Sequence, residues 1–283
     1  MEPCINQATT LGTPFEADLP AYSRVGWQAI ELWLTKLEEF LRNHSVAEAR
    51  SMLDGEGLRP VAASFQGGLM LSQGAERSTH WDHFRRRLDL LAELNVPTLV
   101  VVPDFVSVPG PDDLARSAAS ITEAAELAAT KGVRLALEFQ KTARFCASLD
   151  TTVALIAQSG APNVGVCFDA FHYYTGPSKF EDLGYLTAEN LALVQLSDLS
   201  GVPRELASDS DRIFPGDGDL PLGPILEHFG RIGYQGPVSL EVLNPLFWEM
   251  PADRVVGIAL QAMERTLGDW LTLPETEATE AEG

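Results

Sequence analysis

Residues 191–200 read LALVQLSDLS, a stretch of strand length whose apolar run is interrupted at Gln195 and closes on Asp198. A short, continuous apolar run bounded by polar residues is the pattern of a strand buried on both faces, as in a parallel sheet. A polar side chain inside such a run must find polar company, because burying it alone is costly. The same form recurs at CINQAT (4–9), AIELW (29–33), PVAAS (60–64), TLVVVP (98–103), RLALEF (134–139), VGVCFD (164–169) and VSLEVL (238–243). Between these runs lie segments of helical periodicity. In WDHFRRRLDLLAELN (81–95) and DDLARSAASITEAAELAATKG (112–132), apolar residues recur every three or four positions and an Asn or Gly closes the pattern. Eight such strands with intervening helices, undivided by a Pro/Ser-rich linker, predict a single (β/α)8 TIM barrel over residues 1–271 rather than a doubly wound open sheet. The remaining residues, 272–283, are acidic and lack aromatics, and are expected to form a disordered tail.

The composition narrows the function. Forty Asp and Glu against 20 Lys and Arg give a formal charge of −20, which argues against nucleic-acid or anionic-membrane partners, since both need a basic face. Cys4, Cys146 and Cys167 are odd in number and scattered, form no CxxC pair, and fit a reducing compartment. The N-terminus has no basic region followed by an apolar one and no segment has the apolar length of a membrane span, so a cytoplasmic protein is expected.

A barrel of this kind places its site at the carboxyl ends of its strands. Asn6 and Gln7, Glu31, Gln66 and Asp104 fall at or after the first four strand ends. Glu138, Asp169 with His172, Gln195 with Asp198, and Glu241 fall at the last four. Several acids facing one mouth need a positive partner, and a divalent cation is the economical one. Glu138, Asp169, Gln195 and Glu241 offer only oxygen ligands if the Gln195 amide oxygen faces inward, which suits Mg²⁺ or Mn²⁺ better than Zn²⁺, with Co²⁺ as a substitute. His172 is expected to bind substrate or move a proton. Arg212, in DRIFPGDG, has two readings: a surface pair with Asp209 or Asp211, or a loop turned back by Pro215, Gly216 and Gly218 so that the guanidinium meets substrate. Asp198 is read as a substrate-side support that orients the Gln195 amide or positions Arg212, and Trp33 as a pocket wall. Phe247 and Trp248 are further candidate walls, whereas His44, His80, His83 and His228 are assigned to solvated or packing roles.

The ordered motifs CINQATTL, LALEF, VGVCFDAFHYY, DSDRIFPGDGDLPL and GYQGPVSLEVLNPLFW resemble the xylose isomerase-like TIM-barrel superfamily of sugar isomerases and epimerases, and within it most resemble the inosose (2-keto-myo-inositol) isomerases. The resemblance places the family's Glu, Asp, His and Glu metal ligands on Glu138, Asp169, Gln195 and Glu241, with glutamine in the third position. Similar barrels that dehydrate 3-dehydroshikimate also tend to place glutamine there, with a histidine matching His172. What the resemblance implies is a metal-dependent isomerase or epimerase of a keto-polyol or sugar, in which Glu138 and Glu241 take and return the proton α to a carbonyl and the metal stabilises the enediolate. The alternative is a lyase on the same scaffold, with His172 protonating the departing hydroxyl. Either reading implies a small sugar or cyclic polyol as partner and leaves homo-oligomerisation open. A nuclease of the same superfamily would need a histidine-rich zinc site and a basic face, against five histidines and a charge of −20 here.

Overall fold

The computed structural model describes residues 1–271; the tail expected over 272–283 lies outside them. Eight parallel strands close into a barrel in sequence order: β1 Glu2–Asn6, β2 Ala29–Trp33, β3 Arg59–Gln66, β4 Thr98–Val101, β5 Arg134–Glu138, β6 Val164–Asp169, β7 Leu191–Leu196 and β8 Pro237–Leu240. The predicted (β/α)8 fold is therefore the observed one. Helices cover the outside, among them Gly74–Glu93 and Pro111–Ala129 over the two segments of helical periodicity. No helix among the described residues is long and apolar enough to cross a membrane.

Strand periodicity explains both the core and the site. Side chains two apart share a face, and one face of every strand packs Ile5, Ile30, Leu135, Val166, Val194 and Leu240 into the layer between barrel and helices. The other face points into the barrel, where small residues form a separate cluster that includes Cys4, Ala29, Ala62, Ala136, Cys167 and Leu193. Two residues further on, on the same inward face, come Asn6, Glu31, Ser64, Glu138, Asp169 and Gln195. The barrel thus has an apolar floor and a polar layer above it, at the strand ends.

The first and last strands each end three residues before the expected runs do. The first strand stops at Asn6, not at residue 9, because the Asn6 side chain accepts the Ala8 N–H at 2.8 Å and starts a 3-10 turn over Gln7–Thr10. The last strand stops at Leu240, so Glu241 sits just beyond it, and its backbone N–H still donates to the Leu196 carbonyl at 3.0 Å.

Candidate active site

Every residue of the polar layer is buried, and its fully buried polar atoms are partnered within the protein except Glu31 Oε2, which has no hydrogen-bond partner. Asn6 Nδ2 donates to Glu241 Oε1 at 2.9 Å. Gln195 Nε2 donates both to Glu31 Oε1 at 3.0 Å and to Glu241 Oε1 at 3.2 Å, and the Ser64 hydroxyl donates to Glu31 Oε1 as well. The other end of the Gln195 amide, Oε1, accepts from the Cys167 thiol at 3.1 Å. The single amide on β7 thus joins Glu31 of β2, Cys167 of β6 and Glu241 just beyond β8.

On the opposite side, Glu138, Asp169 and His172 each bring one ligand-type atom within 4.8 Å of the others. Asp169 ends β6 and its Oδ1 accepts the His172 backbone N–H at 2.7 Å, capping the short helix Ala170–Thr175 and so fixing where the imidazole stands. His172 Nε2 lies 3.4 Å from Glu138 Oε1 and 3.4 Å from Arg212 Nη2. Because a guanidinium can only donate, Nε2 is the acceptor in the second contact, which puts the imidazole proton on Nδ1.

Arg212 stands among these groups. Its Nη1 reaches Asp169 Oδ2 at 2.6 Å and Glu241 Oε2 at 3.4 Å, and its Nη2 reaches Asp209 Oδ1 at 2.8 Å. The guanidinium carbon lies 4.5 Å from the Phe171 ring centre. Arg212 pairs with Asp209, and its loop folds back so that the side chain is 1% exposed. The loop is held there by Asp198, whose carboxylate accepts the backbone N–H groups of Leu199, Gly216 and Leu220 at 2.8, 2.9 and 2.9 Å, and by Asn244, which donates to the Arg212 carbonyl. Asp198 therefore positions Arg212 through the backbone and makes no hydrogen bond to Gln195. Asp104, expected near the mouth, accepts the N–H groups of Met70 and Leu71 and orders the loop after β3.

Aromatic side chains border the mouth. Trp33 ends β2 half-buried, edge-on to Phe65 at 5.5 Å, its backbone N–H held by Gln7 Oε1. Phe247 stacks on Phe214 at 4.5 Å and Trp248 Nε1 donates to the Ala8 carbonyl, so both face the strand-end side of the barrel and not its bottom. Four residues that sequence reasoning left without a role belong to the site: Glu31 and Asn6, seen as strand-end polar residues, and Ser64 and Cys167, which looked like ordinary strand residues.

The electrostatics follow from burial. Loss of solvent, with the charge of Asp169 adding to it, pushes the Glu138 carboxyl well above its usual range. Glu241 is raised too, by burial first and by Glu138 and Asp169, against the pull of Arg212. Burial also opposes ionisation of Asp169, but Arg212 and His172 outweigh it and hold this carboxyl below its usual range. Burial lowers the His172 imidazole. The donor set suits a divalent cation: two buried carboxyls, Asp169 and Glu241, share the one guanidinium of Arg212, and Glu138 meets only the imidazole. Glu138, Asp169 and Glu241 could hold such an ion, with His172 or the Gln195 oxygen as a neutral ligand.

A parallel eight-stranded barrel with buried, charge-balanced acids at its strand ends is the architecture of the barrels that work at that face. The chain belongs to the xylose isomerase-like TIM barrel family, whose model matches residues 19–266. It is similar to an inosose isomerase of Halalkalibacterium halodurans, 26% identical over 98% of this chain and all of the relative. A 3-dehydroshikimate dehydratase of Pseudomonas aeruginosa is 29% identical over 61% of this chain, which corresponds to 28% of that longer protein. Among solved structures, the IolI protein with a bound zinc atom superposes with a TM-score of 0.90 over 96% of this chain and all of the other, at 22% identity, a likeness of fold.

Proposed function

We propose that this protein is a divalent-metal-dependent isomerase or epimerase of a keto-polyol or sugar, with an inosose as the first substrate to try. The observation that carries the proposal is the pair of buried carboxyls Glu138 and Glu241, whose ends come from β5 and from just beyond β8 and whose proton affinities are both raised by burial. A carboxyl raised toward neutrality is a competent acid and base at the pH where it works. Near full-length similarity to inosose isomerases supports the substrate class.

When bound, a divalent ion would polarise the substrate carbonyl and acidify the neighbouring C–H. Glu138, Asp169 and Glu241 would hold it, with Gln195 as the neutral oxygen of the set; Mg²⁺ or Mn²⁺ suits that set. One of Glu138 and Glu241 takes the α-proton and the other returns it, the direction being set by the face of the substrate each one meets. Arg212 donates to a substrate hydroxyl or carbonyl, and the neutral His172 imidazole beside Glu138 binds substrate or moves a proton. Trp33 forms an apolar wall. The test is exchange of the α-proton with solvent deuterium in metal-loaded protein: Glu138→Gln and Glu241→Gln are each expected to abolish it. Exchange that persists in both variants would overturn the two-glutamate mechanism.

One observation favours a second reading. Gln195 stands where the resemblance expects histidine, and the dehydratase relatives share this barrel. In a lyase the same proton abstraction would be followed by loss of a β-hydroxyl as water, the abstracted proton passing to it through His172. A conjugated product absorbing in the ultraviolet, formed from 3-dehydroshikimate or an inosose, would select that reading.

A further inference from the structure

Glu31 is a fully buried acid of the polar layer that neither the expected metal set nor the proton-transfer pair includes. It stands on β2, and its Oε1 accepts from Gln195 Nε2 on β7, 164 residues away in sequence. We propose that Glu31 is a positioning residue: it fixes which end of the Gln195 amide faces β6, the strand that delivers Asp169. The inference rests on the metal-dependent reading given above.

An amide is close to symmetrical in shape, so packing alone does not choose between its two orientations; its hydrogen-bond partners do. Here Nε2 meets two carboxylate oxygens, of Glu31 and Glu241, at 3.0 and 3.2 Å. Turning the amide over would take the Nε2 donor away from both carboxyl oxygens and set it against the Cys167 thiol. The oxygen is thereby directed to β6, where the Cys167 thiol donates to it at 3.1 Å and where Asp169 is the direct register partner of Gln195. Glu241 by itself is a poor lock, because its Oε1 also takes the Asn6 amide and its Oε2 faces Arg212. Glu31 is held in turn by the Ser64 hydroxyl. The chain from Ser64 through Glu31 to Gln195 keeps the amide nitrogen on Glu31 and Glu241 and its oxygen on the β6 side, against Cys167.

The experiment is a Mn²⁺ titration by calorimetry on wild type, Glu31→Leu, Gln195→Ala and the double variant. Removing a group that orients a ligand typically costs about 10–100-fold in metal affinity, and that loss is expected for Glu31→Leu. In the Gln195→Ala background the same change is expected to have almost no further effect, since the group it orients is gone. Two results overturn the proposal while leaving the metal reading intact: wild-type affinity in Glu31→Leu, or a full additional loss in the double variant, which would mean that Glu31 acts by its charge and not through Gln195. A wild type that binds no Mn²⁺ overturns both. A metal-independent measurement covers a Glu31→Leu that fails to fold. The Gln195 side-chain amide protons, seen by ¹⁵N NMR, are expected to exchange slowly in wild type and faster in Glu31→Gln; equal exchange rates overturn the positioning role.

Discussion

Replacing Arg212 by methionine keeps an apolar stem but removes the guanidinium that stands 2.6 Å from Asp169 and 3.4 Å from Glu241. All three groups are buried, and taking one member from a buried pair costs about 3–5 kcal/mol because the other is left charged and dry. A second route gives a similar figure. The stranded Asp169 can be neutralised by taking up a proton, and raising a carboxyl from its ordinary pKa of about 3.9 to neutrality costs about 1.4 kcal/mol per pH unit, hence roughly 4 kcal/mol at pH 7 and roughly 1.5 at pH 5. The sign follows from the shifts. In the wild type Asp169 is held below its usual range, so its contribution is present above the unfolded pKa and is lost only as the pH falls through the lower folded value. In the variant burial is opposed only by the His172 contacts and is expected to raise that carboxyl, so the deficit grows as the pH rises. Urea unfolding of metal-free protein at pH 5 and pH 7 measures it. Mn²⁺ is expected to return more stability to the variant than to wild type, because the ion then has Asp169 and Glu241 without a competing guanidinium. A deficit under about 1 kcal/mol, or one that does not change with pH, would refute the assignment of Arg212 as the charge balance of the site.

Two further predictions concern the scaffold around the mouth. A Cβ on Gly218 would overlap the Asp198 carboxylate and the Leu199 carbonyl, so Gly218→Ala is expected to lower stability by about 1–3 kcal/mol and to raise KM by loosening the Arg212 loop, read by thermal unfolding and steady-state kinetics. Lys36 pairs with buried Asp18 and donates to the Thr10 carbonyl at 2.9 Å, so Lys36→Met alone is expected to cost about 3–5 kcal/mol and the double change with Asp18→Leu to recover most of it. Asp18 also makes a pH signature: burial pushes its carboxyl up to about 6, above its unfolded value. Folded protein thus holds that proton more tightly, and stability falls as the pH rises from about 4 to about 6, by roughly 3 kcal/mol at 1.4 per unit. Urea midpoints that stay flat over that window would refute it.

The barrel was legible because its strands are buried on both faces, which turns each into a short apolar run that ends where the polar layer begins. The acids at the last four strand ends were legible for the same reason: a carboxyl directly after a buried run has nowhere to point but the mouth. What escaped the sequence depends on pairings between distant residues. Nothing local distinguishes Glu31 from a surface acid that happens to follow Ile30; its role is set by Gln195. Asn6 ended the first strand early because its side chain caps the next turn, a local competition that an apolar pattern does not register. Arg212 had two readings because Asp209 is three residues away and Asp169 is 43, and only the anchoring of the loop by Asp198 and Asn244 lets it meet both.

Gln195 stands where the resemblance to sugar isomerases implies a histidine, and its bonds show that the two side chains are not simply exchangeable. An amide nitrogen carries two hydrogens, and here a single atom serves two carboxylates while the oxygen at the other end accepts a thiol hydrogen. A neutral imidazole has one N–H and one lone pair, so at this position it could serve Glu31 or Glu241 but not both. The other carboxyl would lose a donor in a fully buried layer, at a cost comparable to an unmade hydrogen bond to a charged group. Gln195, Glu31 and Glu241 are thus matched to one another. A Gln195→His variant would restore the ligand type that the family pattern calls for, yet it would disturb the second carboxylate on which proton return depends. Changes in metal preference and in the fate of the abstracted proton should therefore appear together in that variant.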